Sequence, residues 1–151
     1  MSTSTNITHV LNATVDALRG VIPLNINIHK PALFTQPLLQ SSIGVLIGMT
    51  GDVRGRLILE SSKEVFGGIG QVMFGMALEG EMLESFTGEL GNMIAGNLTT
   101  VLSNKDITMD ITPPTVIVGE TKMYGFDKAF KVPVEVADLG ELQVILMLEM
   151  K

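Results

Sequence analysis

Residues 81–103 constrain this chain more than any other stretch. Leu83, Phe86, Leu90, Met93, Ile94, Leu98 and Val101 recur at three- and four-residue steps, which predicts a long helix, Glu81 to Ser103, with one apolar side. Its other side is unusual. On a wheel of about 100° per residue, Glu81, Ser85, Gly88, Glu89, Asn92, Gly96, Thr99 and Ser103 all fall within about 60° of Ser85. An ordinary solvated face is filled with Lys, Arg and Glu, which favour helix. This stripe holds Gly88 and Gly96, with Gly91 beside them, and a helix-interior glycine costs about 1 kcal/mol relative to alanine. Close approach by another protein's backbone is a reason that fits. Glu89 and Asn92 stand at i and i+3, adjacent on the stripe, where both can enter one cleft.

A helix with an apolar side needs a layer to cover it, and the flanking segments supply one. Ile7, Val10, Leu11, Val15, Leu18 and Ile22 predict a first helix, closed by Gly20 and Pro23. Leu24, Ile26 and Ile28 alternate with polar residues as a short strand. Ser42 to Thr50 and Val53 to Glu60 are apolar runs about Gly51-Asp52, the pattern of a hairpin. Ser61, with Glu64 three residues on, reads as a capping box opening a second helix whose inner face is Val65, Ile69, Val72, Met73 and Met76. Strands follow the third helix at Thr115 to Val118, Phe130 to Val136 and Leu142 to Met150, the last two joined through Asp138-Leu139-Gly140. The order is α-β-β-β-α-α-β-β-β. It predicts an α+β fold in a single domain over residues 1–151, with a largely antiparallel sheet packed against long helices. Between Leu142 and Leu148 the last strand carries neither Lys nor Pro to blunt a free edge, so a partner strand from a second copy is expected there, joining a homodimer.

Composition removes several classes of function. There is no Cys, which excludes disulfide frameworks, Cys-zinc sites and thiol nucleophiles. The net charge of −6 argues against a nucleic-acid module, which needs a basic face. The uncharged stretch Pro31 to Gly51 is interrupted by Pro, Gln, Ser and Thr and does not read as a membrane span. Met1 to Asn6 lacks the pattern of a signal peptide, so a soluble cytoplasmic protein is expected. Gly67-Gly68-Ile69-Gly70 has no following Lys-Ser/Thr and lies inside a helical pattern, so it reads as packing. There is no Gly-x-Ser-x-Gly elbow and no His-Glu-x-x-His pair; His9 and His29 have no acidic cluster beside them, and no metal site is expected.

Ser85-x-x-x-Glu89-x-x-Asn92, followed downstream by Pro113-Pro114, resembles the signature of the CheC/CheX family of chemotaxis phosphatases. Gly88-Glu89-Leu90-Gly91-Asn92-Met93 and Asp110-Ile111-Thr112-Pro113-Pro114-Thr115-Val116 are similar to its CheX branch in particular. The CheC branch has a second Glu-x-x-Asn on the first helix. Here that helix carries Asn12 and Asp16 instead, so a single site is implied. The resemblance implies removal of the phosphoryl group from the aspartate of a CheY-like response regulator. Mg²⁺ would be supplied by that partner and no cofactor held by this chain. It implies that Asn92 positions the attacking water and Glu89 pairs with the regulator's active-site lysine. Ser85 would orient Glu89, with Gly88, Gly96 and Thr99 forming the partner-contact face and Pro113-Pro114 buttressing the helix. It also implies a homodimer. The alternative is a non-catalytic regulator-binding or flagellar-motor adaptor module that docks through the same face.

Overall fold

The computed structural model describes residues 3–34, 38–40, 42–123 and 128–149. Its helices are α1 (Thr3–Val21), α2 (Lys63–Phe74) and α3 (Gly80–Ser103). The strands are β1 (Ile26–Ile28), β2 (Ala32–Phe34), β3 (Leu38–Gln40), β4 (Ile43–Gly51), β5 (Gly55–Ser61), β6 (Met109–Ile111), β7 (Thr115–Val118), β8 (Thr121–Met123), β9 (Lys128–Val136) and β10 (Gly140–Leu148). The expected α+β class and helix order are present. The long strands lie where the sequence predicted strands, with short ones added between them.

The main sheet is antiparallel in the order β1-β9-β10-β5-β4-β6, with β2 also on β9 and β7 also on β4. β3 and β8 make a separate ribbon. Leu142, Val144, Leu146 and Leu148 of β10 join the core under the helices, whereas Ile145 and Met147 face the other way, onto Ile58, Ala129 and Met123. Both faces of β10 are therefore dry, which explains its nearly continuous apolar sequence.

Here the structure corrects a strand assignment. β10 lies at the centre of the sheet, paired to β9 from Gly140 to Leu148 and to β5 from Gln143 to Leu148. From Gln143 to Leu148 it needs neither Lys nor Pro because both of its edges are paired, so that stretch offers no pairing surface to a second copy. The predicted end of that strand, Met150, lies outside the described residues.

Two helix boundaries also move. Ser62, not Ser61, caps α2: its Oγ accepts from the Val65 N–H at 3.2 Å, while Ser61 ends β5 and donates to the Glu141 carbonyl at 2.7 Å. At the other end Gly75 takes the left-handed conformation, φ 73°, and its N–H closes on the Gln71 carbonyl at 2.7 Å. Met76 is thus beyond the helix, and both it and Val72 are exposed rather than packed. The inner face of α2 is Val65, Phe66, Ile69 and Gly70, with Met73 partly buried against the same core. A side chain at Gly68 would run into Leu139, and one at Gly70 would come within 2.5 Å of Leu78, so this glycine run serves packing. In the β4–β5 hairpin, β5 starts at Gly55 rather than Val53, which is buried in the turn. Asp52 holds that turn to the segment leading from α3 into β6: its N–H donates to the Thr108 carbonyl and its carboxylate accepts from the Thr108 N–H at 2.8 Å.

α3 lies between α1 and the sheet. Ala13, Thr14 and Ala17 of α1 are fully buried, and small side chains there let the two helices close together. The apolar face of α3 is sealed by Leu83, Phe86, Leu90, Ile94 and Leu98.

Candidate active site on helix α3

The glycines of α3 decide how its polar stripe is presented. A Cβ at Gly91 would stand 2.6 Å from Cγ1 of Val45 on β4, and one at Gly88 3.0 Å from Cγ2 of Val116 on β7. These two glycines let the α3 backbone settle onto its own sheet. The close approach inferred from the sequence exists, but for Gly88 and Gly91 the approaching element is internal. Gly88 is buried and so is not part of an exposed contact face. Gly96 is the contrast: a Cβ there meets nothing within 4 Å.

With Gly88 turned under, the stripe narrows to Glu81, Ser85, Glu89, Asn92, Gly96, Thr99 and Ser103. Ser85 and Glu89 are exposed, and Asn92 is half-buried. Glu89 and Asn92 are separated by about 4.5 Å along the helix axis. Among the described residues, no hydrogen-bond partner engages the side chain of Ser85, Glu89 or Asn92, and no bond joins Ser85 to Glu89. The donors and acceptors of this pair are therefore open to solvent or to a guest. Thr99 is turned inward, its Oγ1 donating to the Gly96 carbonyl at 2.7 Å.

One flank of the stripe is the Pro113-Pro114 segment. Pro114 lies close enough to α3 that its Cγ would be 4.0 Å from a Cβ at Gly88. The segment is pinned just upstream by Thr112, whose Oγ1 accepts from the Gly48 N–H at 2.8 Å and whose N–H donates to the Gly48 carbonyl at 2.9 Å. Gly48 is what admits Thr112, since a Cβ there would be 3.0 Å from Thr112 Cγ2. Chain stiffened by two prolines, one two-sided anchor and Val116 against Gly88 together hold this side of α3 in place.

The other flank was not read from the sequence. Phe74, Met76, Met82 and Phe86 form an apolar groove that reaches Ser85 and Glu89. Its one local signal is Met82, which the wheel puts about 60° from Ser85, on the stripe's shoulder.

Among the described residues no cluster of three or more His, Asp or Glu side chains could hold a metal ion, and no helix is long and apolar enough to cross a membrane. His29 is exposed and 3.5 Å from the Glu135 carboxylate. Burial pushes the Glu60 carboxyl above its usual range, against the opposing pull of Lys131, but Glu60 lies on β5 with its side chain away from α3 and is not part of the site.

The family model described as Chemotaxis phosphatase CheX matches residues 43–127, which contain α2, α3 and the Pro113-Pro114 segment. The CheY-P phosphatase CheX of Thermotoga maritima is 32% identical over 131 residues, covering 84% of each chain. The chain belongs to the CheX family of chemotaxis phosphatases. Solved structures extend the CheX likeness to the elements outside the matched segment. The CheX of the Borrelia burgdorferi CheX–CheY–BeF₃–Mg²⁺ complex is 28% identical, with a TM-score of 0.78 over 95% of this chain and 97% of that one. A CheC-like superfamily protein from Shewanella sp. PV-4 shares the fold at a TM-score of 0.79 and 23% identity, over 99% of this chain and 100% of that one.

Proposed function

We propose that residues 1–151 act in the cytoplasm as one CheX-like phosphatase domain, which hydrolyses the aspartyl phosphate of a CheY-like response regulator by placing Glu89 and Asn92 in the regulator's active site. The observation that carries this reading is the state of that pair: adjacent on the polar stripe, without side-chain partners among the described residues, and mounted on a helix locked to the sheet beneath it. The relatives named above support it, one as a CheY-P phosphatase and one in complex with CheY, BeF₃ and Mg²⁺.

The chemistry asks little of the chain. An acyl phosphate already has a good leaving group, and catalysis of its hydrolysis is mainly positioning plus electrostatics. The water oxygen attacks phosphorus in line, the bond from phosphorus to the aspartyl oxygen breaks, and the aspartate carboxylate and inorganic phosphate leave. The Asn92 carboxamide has both an acceptor and a donor, so it can hold the water's proton and steer its lone pair. Glu89, as a carboxylate, pairs with a lysine of the regulator and fixes the register of docking. Ser85, one turn before Glu89, orients it once the two are enclosed. Gly96 and Thr99 lie farther along the same contact face. Mg²⁺ belongs to the regulator and neutralises charge on the transferring group.

Turnover of the phosphorylated regulator is the test. Catalytic amounts of the wild-type chain should accelerate release of phosphate, and Glu89→Ala should weaken both association and rate. Stoichiometric binding with no acceleration would instead make the chain a regulator-binding or motor-adaptor module.

A further inference from the structure

On the side of the stripe away from β7, three large apolar side chains stand in solvent together: Phe74 is 58% exposed, Met76 53% and Met82 57%. They wall a groove floored by Phe86, with Ser85 and Glu89 on its rim. The groove is a built feature. Gly75 (φ 73°) reverses the chain at the end of α2 and Gly80 (φ 58°) starts α3, so the loop carrying Met76 folds back along α3. Phe74 stacks edge-on against Phe86, ring centres 5.7 Å apart and planes at 86°. Apolar side chains gathered this way beside polar residues mark a binding surface.

We propose that this groove is the second half of the regulator's docking site: it receives apolar side chains that flank the regulator's phosphorylation site and are bordered by Lys or Arg. The inference rests on the reading of Glu89 and Asn92 given above. Its geometry follows from that reading. Met82 precedes Glu89 by seven residues, hence by about 10 Å along the helix on nearly the same side. A stable interface covers about 800 Å² of each partner, equivalent to a disc of roughly 16 Å radius. A protein whose contact is centred on Glu89 therefore reaches Met82, and the groove that Glu89 borders continues to Met76. Phe and Met are enriched at such contacts, and the flexible Met side chain adapts to the surface it meets. The charged residues lining the groove are Glu81 and Glu89, with no Lys or Arg among them, so the complementary border is basic. A second copy seated in the groove would hide Glu89 and inhibit.

The test uses the full chain and the host's own CheY-like receiver domain loaded with beryllofluoride and Mg²⁺, titrated by fluorescence. Met82→Lys and Met76→Lys should each weaken binding about tenfold or more. Glu81→Lys should weaken it several-fold and reduce its sensitivity to salt. Leu33→Lys, which alters an equally exposed apolar residue on β2 at the far edge of the sheet, should bind as wild type does. Unchanged binding by the Met82 and Met76 variants overturns the groove proposal, even if Asn92→Ala abolishes turnover and the catalytic reading stands. If Asn92→Ala keeps its turnover, that reading falls, and the same titrations still judge the groove. Light scattering closes the remaining route: a wild-type dimer that Met82→Lys dissolves, with turnover rising, would show that the groove holds a second copy and overturn the proposal.

Discussion

The two flanks of the Glu89–Asn92 stripe are built in opposite ways. Toward β7, α3 is held at every level. Gly88 and Gly91 bring its backbone onto Val116 and Val45, Pro114 lies alongside, and Thr112 ties the proline segment to Gly48 through both N–H and hydroxyl. Toward α2, the surface is open and apolar, shaped by two left-handed glycines and a pair of rings set edge to face. The closed flank fixes the stretch of α3 backbone that carries Glu89 and Asn92. The open flank leaves area for a partner to cover. The catalytic role proposed for Asn92 calls for the first, because small misplacements lower rates steeply.

That contrast can be broken at graded points. The largest effect belongs to the stripe itself. Asn92→Ala should keep its fold, since the amide has no partner among the described residues, and lose about a hundredfold or more in turnover; phosphate release with a circular-dichroism control decides. Next comes the closed flank. Gly91→Ala forces a methyl group into Val45 and should cost about 1–3 kcal/mol in chemical denaturation. Adding Val45→Ala should recover part of that loss, and an absence of recovery would mean that the glycine is there for another reason. Thr112→Val removes the acceptor of the Gly48 N–H and should lower stability by about 1 kcal/mol. Turnover should fall several-fold with it, as the proline segment loosens beside α3. Smallest is Gly96→Ala, where a methyl group meets nothing. It should raise stability by about 0.5–1 kcal/mol through helix propensity. A drop in regulator affinity in that stabilised variant would place the partner's backbone at Gly96, and unchanged affinity would confine the contact to the N-terminal half of the stripe.

Much of this was legible in sequence because it is local. α3 ends at Ser103 as the periodicity requires and begins one residue before Glu81, and β7 spans Thr115–Val118 as the apolar run does. Glu89 and Asn92 share a face because three residues of helix always put them there. Ser61 misled because two serines stand side by side, and only the end of β5 tells which one is free to cap.

By itself the sequence determined the class of fold, the long helix and the adjacency of its Glu and Asn, all consequences of spacing along one segment. The tertiary structure alone decided which glycines of α3 face inward, where β10 sits in the sheet, and that Phe74 and Met76 meet Met82 beside the site. Each of those depends on what another segment places opposite. A glycine under Val45 and a glycine in open space read alike in the chain, and a strand without Lys or Pro is either a hazardous edge or a protected centre until its neighbours are known.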